Sequence, residues 1–170
     1  MRTLALLCLA SAGCGVADFD VDQPVQEQMI SGSPIPGPLQ VLFPIPLNVD
    51  ISAQIKAKDT GPIDSVTLKS LTLSITKTDE PSGDTDDWSF VTSVDVFVSS
   101  TKSGSTLPKV KIAHVMSPGA VRDMKFVLDG DVNLKPYIDE GSSVDGQSTG
   151  NAPADDVSYD GIATFTVHPL

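Results

Sequence analysis

The sequence predicts an all-β chain, a single antiparallel β-sandwich of the Ig-like or Greek-key type. It should hold about seven to eight strands and at most one short helix. Three observations carry this. Apolar and polar residues alternate with a period of two along several runs, the pattern of strands with one dry face and one wet face. Thirteen glycines and thirteen prolines supply turn chemistry at short spacing, while aromatic residues make up only 5%. No regular alternation of strand-like and helix-like segments indicates a parallel α/β sheet.

The stretch with the most regular pattern is Leu47–Thr78. Leu47, Val49, Ile51, Ala53, Ile55 and Ala57 are apolar at every second position, with polar residues between them. Asp59-Thr60-Gly61-Pro62 reads as a turn. A second run follows through Val66, Leu68, Leu71, Leu73 and Ile75, and its phase slips at Lys69-Ser70, which predicts a β-bulge. The expectation is a long hairpin, and the sandwich proper is expected to span 47–170.

Further strands are expected from Trp88 to Val98, with Val94, Val96 and Val98 facing inward, from Leu107 to Val115, and from Val121 to Leu128. Residues 131–140 allow a helical turn, with Asn133 as a cap, Pro136 early and Gly141 as the stop. Ser142–Thr149 reads as a polar strand. The last strand carries Val157, Tyr159, Gly161, Ala163, Phe165 and Val167 on one face. The long hairpin is similar in outline to one in the sandwich of the late-embryogenesis-abundant type 2 family, an analogy at the level of fold alone.

Ahead of the sandwich, residues 14–46 are expected to form a tether and a proline-rich segment. Residues 18–30 alternate weakly and also read as a short edge strand interrupted at Pro24. Pro34, Pro36, Pro38, Pro44 and Pro46 forbid a regular helix in the stretch that follows.

The first 13 residues read as an export signal: Met1-Arg2, then an apolar run over 3–12 too short to span a bilayer, then small residues. Ser11-Ala12-Gly13-Cys14 resembles the bacterial lipobox, in which small residues precede a cysteine that becomes the acylated N-terminus. Ser11 stands where that pattern usually has leucine. The resemblance implies lipidation of Cys14, palmitate-type acyl chains and a membrane as partner. Gly15, directly after the cysteine, implies delivery to the outer membrane. The alternative is ordinary cleavage after Ala12 or Ala17, giving a soluble periplasmic or secreted protein.

The chain carries 11 basic and 22 acidic residues, a net charge of −11, and loss of Arg2 with the signal leaves 10 against 22, or −12. Nucleic-acid binders carry the opposite balance, so no nucleic-acid partner is expected. With Cys8 removed and Cys14 acylated, no thiol remains for zinc or for catalysis. Neither a Gly-x-Ser-x-Gly elbow nor a phosphate loop nor a His-Glu-x-x-His motif occurs. His114 and His168 read as structural or surface residues, and a Ser/His/Asp triad drawn on His114 is rejected. Among the acidic clusters, Asp84, Asp86 and Asp87 share one loop and are the candidate metal ligands, for calcium, which prefers carboxylate and carbonyl oxygens held on loops.

The expected function is therefore a non-enzymatic, lipid-anchored structural or interaction module of the cell envelope, with an envelope protein as a possible partner. A calcium- or glycan-binding module using the acidic loops is the second reading, and a secreted enzyme with an unrecognised site is the last.

Overall fold

The computed structural model describes residues 17–33, 35, 37–38, 42–43, 45, 52–59, 61–78 and 84–170. Within them the strands are β1 (Phe19–Ile30), β2 (Leu42–Phe43), β3 (Ile63–Ile75), β4 (Val91–Ser100), β5 (Val110–Met116), β6 (Asp123–Lys125), β7 (Val127–Leu128), β8 (Ser142–Gly150) and β9 (Val157–Pro169). The helices are α1 (Ser52–Lys58) and α2 (Lys135–Glu140), and a 3-10 turn spans Trp88–Phe90. One sheet runs β1-β9-β3-β6 and the other β2-β8-β4-β5-β7, with antiparallel neighbours throughout.

The antiparallel sandwich expected from the sequence is present. The pairings nest: β1 with β9, β2 with β8, β3 with β6, β4 with β5. That is one long hairpin rolled up on itself, the strand order of a jelly roll within the Greek-key class.

β3 shows how a sequence pattern sets a register. Val66 and Leu68 are buried, then Leu71, Leu73 and Ile75, while Lys69 and Ser70 are both exposed. The register with β9 shifts between Leu68 and Ser70, so the slip at Lys69-Ser70 is a bulge. One extra residue moves the apolar set from even to odd positions and keeps all five in the core.

The hairpin expected over 47–78 does not form. Residues 52–58 are helix α1, and 47–51 lie outside the described residues. Alanine, glutamine and lysine favour a helix, and Lys56 and Lys58 in its last turn suit the negative end of the helix dipole. Ile55 packs on the core while Ala53 and Ala57 stay exposed, so the alternation reflected no dry face. Asp59 ends the helix with a left-handed backbone (φ 50°), and its N–H donates to the Lys56 carbonyl at 3.2 Å. β3 instead finds β9 and β6.

The sheet also begins earlier than expected. Residues 19–30 form the edge strand that their weak alternation also allowed, and it continues through Pro24 rather than being interrupted there: β1 pairs with β9 from Phe19↔Val167 to Ile30↔Val157. Three other expectations shift. The stretch from Trp88 begins with the 3-10 turn, whose start is capped by Asp87, before β4 buries Val94, Val96 and Val98. β5 starts at Val110 rather than Leu107. The run 121–128 is two strands in different sheets, β6 against β3 and β7 against β5. The chain crosses between layers at buried Phe126, whose N–H donates to the Leu71 carbonyl at 3.1 Å.

α2 ends at Gly141, whose φ of 89° suits glycine, as expected. Asn133 Oδ1 accepts the N–H groups of Lys135 (3.0 Å) and Val66 (3.3 Å), tying the helix start to β3. The core is closed by Trp88, Tyr159, Phe165, Leu71, Leu73 and Met124, all under 2% exposed. Trp88 meets Tyr159 edge-on at 5.5 Å, and its indole N–H donates to the Arg122 carbonyl at 2.9 Å.

Gly161 lies where β9 passes closest to β3: a Cβ there would sit 2.4 Å from the Thr72 carbonyl oxygen. Gly161→Ala should therefore lower unfolding free energy by about 1–3 kcal/mol in a urea titration. An unchanged midpoint would show that the two strands part freely at this point.

Candidate functional site

The two ends of the sandwich hold the polar groups with chemical potential. At one end lie the 3-10 turn, the segment before it, and the loop 151–156. Asp84 is consumed by structure. Its Oδ1 accepts the Asp86 N–H (3.0 Å), and its Oδ2 accepts from the Thr78 N–H (3.2 Å) and from Arg122 (3.4 Å). Those donors, the Asp86 N–H first, hold its carboxyl below the usual carboxylate range. Asp87 Oδ1 accepts the Ser89 N–H at 2.9 Å as the cap of the turn. Asp156 Oδ1 likewise accepts the Gly32 N–H at 2.8 Å.

Asp86 is different. Its Oδ2 is buried without a hydrogen-bond partner. Burial first, then the charges of Asp84 and Asp155, push its carboxyl above the ordinary range. It borders an open cleft of 220 Å³ lined also by Thr85, Asp87, Ser89, Phe90 and Asp155. Among the described residues no group of three or more His, Cys, Asp or Glu side chains is placed to hold a metal ion. Asp84, Asp86 and Asp87, the candidate calcium ligands, are thus neighbours in sequence with separate tasks among the described residues.

The opposite end holds a wider cleft of 510 Å³, between the start of β3, the end of β9 and the segment before α2. Asp64, Ser65, Thr67, Asp131, Thr166 and His168 line it. His168 Nδ1 lies 2.9 Å from Asp18 Oδ2, and its Nε2 lies 3.4 Å from Thr67 Oγ1. The connectivity is that of a carboxylate, imidazole and hydroxyl relay. Its geometry is that of a surface clasp. The Asp18 side chain is 60% exposed, the hydroxyl contact is at the limit of hydrogen bonding, and the three residues come from adjoining strand ends of one sheet. The clasp joins the start of β1 to β9 and β3. His114 Nδ1 pairs with Asp129 at 2.9 Å, and Asp129 also lies 3.8 Å from Lys111. Cys14, the expected lipidation site, lies outside the described residues.

The chain matches no protein-family model and no curated protein. Among solved structures it is similar to a chain of turnip yellow mosaic virus, at 16% identity and a TM-score of 0.27, and to one of Desmodium yellow mottle tymovirus, at 13% and 0.23. In each case the match covers 100% of this chain and 92% of the other. At such TM-scores the likeness assigns nothing to this protein.

The sequence could not disclose the 510 Å³ cleft, because Asp64, Thr67, Asp131 and His168 come from distant parts of the chain that only the fold brings together. The buried Asp86 oxygen was equally hidden, since three neighbouring aspartates look alike until a fold orients them.

Ionised Asp86 disfavours the native state. Its native pKa lies above the ordinary 3.8, so native Asp86 holds its proton more tightly than the unfolded chain does, and stability is lost as pH rises from 3.8 through the native value. Asp86→Asn should raise Tm by about 2 °C near neutral pH. The gain should close near pH 3, where both states carry the proton. Thermal melts at both pH values decide this, and a gain that persists in acid would assign the effect to packing.

Proposed function

We propose that the chain is a lipid-anchored, non-enzymatic module of the bacterial cell envelope, held at the outer membrane and acting as a structural or interaction domain. The observation that carries this reading is the leader ending in Ser11-Ala12-Gly13-Cys14. Diacylglyceryl and amide-linked acyl chains on Cys14 anchor a protein stably without a spanning helix. Among the described residues no helix is long and apolar enough to cross a membrane. The jelly roll is compatible with such a role, being a rigid frame whose loops carry contacts, though a fold alone specifies no function. The carboxylates that were candidates for chemistry are largely spent on backbone: Asp84, Asp87 and Asp156 each accept at least one main-chain N–H.

A second reading, binding of a polyhydroxylated ligand such as a glycan, is favoured by the 510 Å³ cleft, where hydroxyls and carboxylates of Asp64, Ser65, Thr67, Asp131 and Thr166 face a common space.

Intact mass of the protein extracted from membranes, with Cys14→Ala as control, tests the anchoring. A chain that begins at Cys14 and carries acyl mass is expected, with Cys14→Ala retaining its leader. An unmodified chain beginning at Gly13 or Asp18 would overturn it.

A further inference from the structure

We infer that the end of the sandwich formed by α1, the start of β3, α2 and the C-terminus rests on the headgroup layer of the bilayer that holds Cys14. The inference rests on the anchoring proposed above and adds which face meets the lipid. β1 starts at Phe19, five residues after Cys14. Five residues reach at most about 18 Å. The sandwich is much longer than that, since the 13 residues of β9 span roughly 43 Å. The anchor therefore reaches the end where Phe19 pairs with Val167 and does not reach the end where Ile30 pairs with Val157. The 3-10 turn at Trp88, Asp86 and the loop 151–156 point away from the membrane.

The chemistry of the near end suits a bilayer surface. A hollow of 150 Å³ opens between α1, β3 and α2, walled by Ile55, Ile63, Val66 and Ile138 and rimmed by Lys56 and Lys135. Leu170, whose N–H donates to the Pro62 carbonyl, is 76% exposed at the same end. Lys58 stands over the Phe19 ring, 5.5 Å from its centre, directly beside the entry of the anchored segment. The lysines share this end with Asp59, Asp64, Asp131 and Asp139, the last lining the same hollow and pairing with Lys135 at 2.5 Å, so both signs are present and Lys56 and Lys58 are the cations turned to the lipid. Such a surface matches a zwitterionic headgroup layer rich in phosphatidylethanolamine, lysines toward phosphate and aspartates toward ammonium, with the apolar hollow and Leu170 at the glycerol level.

The test uses the acylated protein reconstituted into vesicles of phosphatidylethanolamine and phosphatidylglycerol containing a phospholipid with a nitroxide on its headgroup. With Cys8 lost and Cys14 acylated, a fluorophore can be placed on one new cysteine, at Ala57→Cys on α1 or at Ala154→Cys at the far end, both exposed positions. Quenching at 57 should exceed that at 154 by at least about twofold, and Lys56→Glu with Lys58→Glu should reduce it. Acyl mass with equal quenching at both positions, or stronger quenching at 154, overturns the docking alone. Absence of acyl mass overturns the docking together with the anchoring.

Discussion

The pairing of β3 with β9 is the constraint on which the remaining structure depends. It runs from Ile63↔Pro169 to Ile75↔Tyr159 and places two 13-residue strands side by side at the centre of one sheet. Two apolar sets must face the same core along that length. β9 offers Val157, Tyr159, Ala163, Phe165 and Val167, and β3 can match them only by inserting the extra residue at its bulge. Without that insertion, half of β3 would point its leucines at water. Gly161 completes the fit, because its missing side chain is what lets the Thr72 carbonyl and Leu73 come close.

The second sheet follows from how the chain leaves the first. Between β6 and β7 a single residue, Phe126, carries the backbone from one layer to the other. Its ring is buried where the layers meet, so the crossing contributes to the core rather than interrupting it. Trp88 does the same at the mouth of the sandwich. Its main-chain N–H and indole N–H donate to the carbonyls of Val121 and Arg122, closing the loop 117–122 over the end of the core. Glu140 holds the opposite end, accepting from Ser100, Ser105 and Lys102, and those donors keep its carboxyl below the ordinary range. That contribution is present above the ordinary 4.5 and fades as pH falls through the lowered native value.

These details explain what could be read from the sequence. Where an apolar period of two coincided with β-branched and aromatic residues, as in β9 and in β4 from Val94 to Val98, the strand and its inner face were legible. The bulge was legible because a one-residue slip is visible in the pattern itself. Residues 52–58 were not, because alternating Ala, Ile and Lys satisfies a strand template on paper while alanine and lysine favour a helix, and only tertiary packing decides. β1 was obscured by its aspartates and Pro24, which lower the contrast between its faces. The run 121–128 kept one period through Met124, Phe126 and Leu128 although its two halves bond to different sheets, since periodicity reports burial and carries no information on partners. The candidate site was the least legible part. Side chains at 64, 67, 131 and 168 share a cleft only because the fold brings the start of β3, the end of β9 and the segment before α2 together.

The aspartates of β1 have a physical task that the acidic composition alone conceals. β1 is the longest strand at a sheet edge among the described residues, and a long edge invites pairing with another chain. Asp20 accepts from Lys69 and Thr166, and Asp22 accepts from Thr164, so these carboxylates lie back over the sheet. Lys69 and Thr166 hold Asp20 below the usual carboxylate range and keep it ionised. A second copy approaching edge to edge would meet this fixed negative charge, then Pro24, which lacks the N–H a ladder needs, then the irregular register between Val25 and Gln28. The other edge strands are only two or three residues long: β6, β2 and β7. The charge that looks like mere solubility on β1 thus acts specifically against strand pairing.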